Sequence, residues 1–136
     1  MVRILLVMAA ALVAAPAFAD NQRPSQALCD ATKISARELN ECLRTSADKA
    51  DKDLSATIDA AVKSIDGRSG LLAPQKARWK RSLNDAEAQW LSWRDAECQD
   101  VAPFEAGMNA KGGDPRLSCI IDQDALRAAD LKSRYP

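Results

Sequence analysis

Residues 35–66 read SARELNECLRTSADKADKDLSATIDAAVKSID, and this stretch decides the fold. Leu39, Leu43, Ala47, Ala50, Leu54, Ile58, Ala61 and Ile65 recur at steps of three and four, one apolar stripe along about eight helical turns. Ser35 and Glu38 have the spacing of a capping box. The serine hydroxyl accepts from the Glu38 backbone N–H, and the Glu38 carboxylate accepts in return from the Ser35 backbone. Gly67 follows, a residue able to take the left-handed conformation at a helix end, and Asp66-Gly67-Arg68-Ser69-Gly70 reads as a turn. A stripe this long needs a partner surface.

Two further helical patterns supply one. Pro74 suits the first turn of a second helix, whose stripe runs through Leu72, Trp79, Leu83, Ala86, Trp90 and Trp93 until Pro103 stops it. A last helix from about Arg116 carries Leu117, Ile120, Ile121, Ala125, Ala128 and Leu131. Residues 103–115 hold Gly107, Gly112 and Gly113 without any period and read as a loop. Residues 20–34, with Pro24 and little periodicity, read as an extended lead-in. No segment has strand character. The expected fold is all-α, a long antiparallel helical hairpin with a shorter third helix packed against it.

The N-terminus suggests the compartment. Met1-Val2-Arg3 is a short basic start, Ile4 to Ala15 is uniformly apolar, and Ala17-Phe18-Ala19 is a small-x-small cleavage pattern. The apolar run is short of the roughly 20 residues that span a bilayer. Residues 1–19 are therefore expected to be a signal peptide, leaving residues 20–136 as one helical domain, periplasmic or secreted and soluble. Cys29 lies well past the apolar run, a poor place for a lipid anchor. In an oxidising compartment Cys29, Cys42, Cys98 and Cys119 favour disulfides, since no C-x-x-C pair suggests zinc or redox chemistry. Four cysteines allow three pairings. The simplest is sequential, Cys29–Cys42 and Cys98–Cys119, each tying a connecting segment to a nearby helix.

Composition narrows the function. The 136 residues are 47% hydrophobic and 28% charged, with 19 Lys+Arg against 19 Asp+Glu. Zero net charge argues against a nucleic-acid or anionic-membrane binder, and no insertion of the mature chain into a membrane is expected. With no His, the commonest general base and metal ligand are gone. Ser82, Ser92 and Ser118 lack a His partner, and Asp95 and Glu97, two residues apart, point to different helix faces. We expect no enzyme, no cofactor and no metal.

Glu38-Leu39-Asn40-Glu41-Cys42, downstream of Cys29, occurs together with Trp90-Leu91-Ser92-Trp93-Arg94-Asp95-Ala96-Glu97-Cys98. With Gly112-Gly113, Cys119, Arg127 and Leu131 these resemble the lysozyme inhibitor LprI-like family over about residues 29–131. The usual Gln three residues before the Trp is Glu87 here, and an Asn usual in the first helix is Ser55. The resemblance implies an all-helical, disulfide-bonded exported domain and the inhibition of a lysozyme. From the residues themselves, Trp79, Trp90 and Trp93 are expected between helices. Arg94 shares a face with Trp90 and Cys98 and is expected to stack on Trp90 and clamp Glu38 or Glu41.

Charge placement points to a partner. Lys76, Arg78, Lys80 and Arg81 crowd the start of the second helix, and Asp95, Glu97 and Asp100 crowd its end. Both oppose the helix dipole at roughly 0.3–1 kcal/mol per exposed charge. Pairing across the hairpin, with Asp59 and Asp66 at one end and Arg37 and Arg44 at the other, explains part of this. The remainder is an acidic pole of Asp100, Glu105, Asp114, Asp122 and Asp124 beside the 103–115 loop. Two functions fit. One is binding to a cationic muramidase, steered by this pole and anchored by Phe104 or Met108. The other is a non-inhibitory envelope adaptor that binds another exported protein through a helix face.

Overall fold

The computed structural model describes residues 22–108 and 111–136, so the expected signal peptide, residues 1–19, lies outside the described residues. The helices are α1 (Pro24–Leu28), α2 (Ala36–Asp66), α3 (Ala73–Ala96), α4 (Ala102–Ala106) and α5 (Pro115–Arg134). Among the described residues there is no strand, and no helix is long and apolar enough to cross a membrane.

The capping box that starts α2 is present. Ser35 Oγ accepts from the Glu38 N–H at 3.4 Å, and the Ser35 N–H donates to Glu38 Oε2 at 2.9 Å. The Ser35 hydroxyl also donates to Glu38 Oε2 at 2.7 Å; this bond and that from the Ser35 N–H favour the ionised carboxyl, and the Glu38 pKa lies below its ordinary value. The other end of α2 differs from expectation. Gly67 stays right-handed (φ −76°) and closes a tightened last turn onto Ser64, while the left-handed residue is Gly70 (φ +77°), where the chain reverses.

Two segments expected to be irregular are helical. Pro24 sits in the first turn of α1, where a missing N–H breaks no helical bond. Pro103 likewise does not end the second helix. One π-helical turn, Glu97–Val101, carries the chain on from α3, and Pro103 falls in the first turn of α4. The inserted residue of the widened turn shifts the hydrogen-bond register, so proline meets the chain where it is tolerated. The run ends at Gly107 (φ +72°).

The long helices run up, down and up. α5 lies along α2 in the most extensive helix–helix contact of the fold, and α3 returns antiparallel to both. Lys80 bonded to Asp66 at 2.7 Å and Arg94 bonded to Asp51 at 2.9 Å belong to one hairpin register. The core has two apolar clusters. One joins Leu54, Ala61 and Ile65 of α2 to Leu83 of α3 and to Ala128 and Leu131 of α5. The other joins Leu39, Leu43 and Ala47 to Cys29 and Ile121.

The disulfides are Cys29–Cys42 and Cys98–Cys119, with Cα atoms 5.8 and 5.3 Å apart. The first fastens the segment after α1 to α2, and the second fastens the π turn to α5. Both staple the same pole, where α2 and α5 begin and α3 ends.

Candidate functional site

A charged network occupies the waist between the two clusters. Asp51 follows Ala47 and precedes Leu54 on α2, while Asp124 lies between Ile121 and Ala128 on α5. Arg94 of α3 reaches both: its Nη1 donates to Asp51 Oδ1 at 2.9 Å and to Asp124 Oδ1 at 2.8 Å. Its Nε and Nη2 donate to Asp95 Oδ1 at 3.0 and 2.7 Å. Burial opposes the Arg94 charge, but the bonds to Asp124, Asp95 and Asp51 outweigh it and hold the guanidinium pKa above its ordinary value. Burial raises the Asp124 pKa, offset only in part by Arg94 and reinforced by Asp51 and Asp95. Three carboxylates thus converge on an internal guanidinium. Among the described residues no cluster of His, Cys, Asp or Glu is suited to hold a metal.

The expected partners of Arg94 are therefore corrected. Glu38 is spent on its capping box, Glu41 lies near Arg44 on α2 at 4.0 Å, and neither meets Arg94. In the observed register Lys80 meets Asp66 and Arg94 meets Asp51, so α3 ends opposite the middle of α2 and never reaches Glu38 or Glu41. The guanidinium over Trp90 belongs to Arg127 of α5, at 5.6 Å. Arg127 also forms a bidentate pair with buried Glu87. The inner face of α3 is thus Leu83, Glu87 and Arg94, rotated from the stripe expected through Ala86 and Trp93. Trp90 is half-buried against the core, whereas Trp93 is 48% exposed, its ring tilted against Trp90 at 6.2 Å. Asn40 is exposed on α2 and has no side-chain hydrogen bond among the described residues. Of the expected cross-hairpin pairs, Asp66 meets Lys80, while Arg44 pairs within its own helix.

A groove of about 940 Å³ opens at the stapled pole. Its floor is α5, its walls are α1 and the π turn with α4, and Gly112 and Gly113 close one end. α1 is held in place by Asp122, which accepts from the Ser25 N–H at 2.7 Å and from Ser25 Oγ at 3.0 Å. Gly113 (φ +81°) lets the loop press onto α2, since a Cβ there would lie 2.6 Å from Leu43 Cδ1.

The acidic pole is smaller than expected, because several of its carboxylates are already engaged. Asp124 is buried in the waist, Asp122 pins α1, and Asp114 caps α5 by accepting from the Arg116 N–H at 2.9 Å. Asp100 is exposed, and Glu97 and Glu105 face the groove. Among the described residues none of these three is in an ion pair. Phe104 and Met108 are 87% and 102% exposed and do not line the groove. The groove escaped the sequence reading because its wall, α1, is only five residues long. The waist had one overlooked signal: Asp124 sits in phase with Leu117, Ile121, Ala128 and Leu131 on an apolar face.

Fold and site together define a small all-helical protein whose two disulfides brace the pole that carries the groove between α1, α4 and α5. The chain belongs to the lysozyme inhibitor LprI family, whose model matches residues 29–131. An uncharacterized protein of Rhizobium meliloti (strain 1021) is 30% identical over 106 residues, 73% of each chain. No solved structure matches the chain.

Proposed function

We propose that the protein is exported and inhibits a muramidase-type lysozyme by binding it, with no catalysis or cofactor of its own. Family membership over residues 29–131 carries this reading, because that span includes both disulfides, Arg94 and the acidic pole. Two disulfides also suit an oxidising compartment. Opposite charge at Asp100 and Glu105 steers a cationic enzyme to the pole, and exposed Phe104 and Met108 provide apolar anchors.

A turbidity assay of cell-wall lysis against a panel of lysozymes tests it. Reversing Asp100 and Glu105 to Lys should slow association, with an effect that fades toward about 1 M salt, where screening acts within roughly 3 Å. Reversing Arg78 and Arg81, exposed at the far pole, to Glu should leave inhibition nearly normal. Phe104→Ala should instead raise the dissociation rate at every salt concentration. If no lysozyme in the panel is inhibited, the adaptor function replaces this one.

A further inference from the structure

The groove at the stapled pole is preformed and acidic, and its shape suits one kind of occupant. α1 is fastened twice, by the Cys29–Cys42 bridge just beyond its end and by Ser25 on Asp122, so this wall exists before any partner arrives. Small side chains, Ser25, Ala102, Ala106 and Ser118, leave the channel open. Glu97 and Glu105 carry its unpaired charge beside Asp122, whose carboxylate is bonded to Ser25, and Leu126 on the floor is 62% exposed. Arg23 is the one basic side chain among the described residues that line it.

We propose that this groove receives a basic segment of the bound lysozyme, with a Lys or Arg set against Glu97 and Glu105 and an apolar neighbour on Leu126. This rests on the inhibitor reading and makes the groove, rather than the exposed Phe104 and Met108, the element that selects the partner. The carboxylates lie beside low-dielectric walls, which strengthens their attraction for a cation, and a fastened wall spares the ordering cost of binding.

Two variants probe the groove by different physics. Glu97→Gln with Glu105→Gln removes the two carboxylates proposed to meet the cation, leaves Asp122 on Ser25, and keeps the shape. Gly112→Trp is chosen to fill the groove; among the described residues a Cβ at Gly112 meets nothing within 4 Å and its φ is not in the left-handed region, and circular dichroism checks that the variant is folded. Against a lysozyme that the wild type inhibits, each should weaken binding by about tenfold or more. The Gln pair should lose its effect in high salt, and Gly112→Trp should not. A second arm needs no enzyme: a short peptide alternating lysine and leucine is titrated into isotope-labelled protein and followed by amide chemical shifts. The shifts should cluster on Glu97, Ala102–Ala106 and Gln123–Leu126, and Gly112→Trp should abolish them. If both variants inhibit like the wild type, the groove proposal is overturned and the inhibitor reading stands. If the peptide marks the groove while no lysozyme is inhibited, the cationic occupant stands and the inhibitor reading falls.

Discussion

Replacing Arg94 with alanine should cost about 3–5 kcal/mol of folding free energy. The magnitude follows from what is left behind. The Asp124 side chain is 0% exposed and that of Arg94 only 9%, so the variant strands a carboxylate in a dry interior. Asp51 and Asp95 are 60% and 61% exposed, and their pairs with Arg94 are worth about 0–1 kcal/mol each. Asp51→Ala and Asp95→Ala should therefore be mild. Arg94→Leu combined with Asp124→Leu should cost far less than Arg94→Ala alone, because it removes both buried charges. Urea unfolding at pH 7 with the disulfides intact measures all of these, and against a typical stability of about 5–15 kcal/mol the main effect is large. The pH dependence has a definite sign. Burial raises the folded Asp124 pKa, and losing Arg94 removes its main opposition. A carboxyl that holds its proton more tightly when folded favours the fold below its unfolded pKa, near roughly 3.9, and that advantage is lost as pH rises through the folded value. The deficit of Arg94→Ala should therefore shrink on acidification. A loss below about 1 kcal/mol, or a deficit unchanged between pH 7 and roughly pH 4, would refute a buried charge network at the waist.

Other sites separate structure from surface in the same assay. Gly113→Ala should destabilise by about 1–3 kcal/mol, through its left-handed backbone and its contact with Leu43, while Gly112→Ala should be nearly silent; equal effects would contradict the loop packing. Trp90→Ala should cost about 2–4 kcal/mol, less than a fully buried tryptophan, and Trp93→Ala under about 1 kcal/mol. Replacing Cys98 and Cys119 together by Ser should cost about 3 kcal/mol from loop closure across 21 residues, and mass spectrometry of a non-reduced digest should show Cys29–Cys42 intact.

The sequence by itself determined the helical class and the span and N-terminal cap of α2; it left three disulfide pairings open, of which the structure has the sequential one, the simplest. The properties so determined are local: an apolar period, a side chain three residues from its cap. It also carries the family motif, but not the places of Arg94, Trp93 and Asp124 in space. Those places depend on the register between α2, α3 and α5 and on a π turn, and both are set by how the helices pack. Glu87 and Arg94 break the apolar pattern of α3 because their charges are met by Arg127 and Asp124 on a helix far along the chain. No period along one helix reports a partner on another. The groove is tertiary in the same sense: α1, α4 and α5 are separate elements, and helix packing with the Asp122–Ser25 bond and the two disulfides brings their small side chains into one channel.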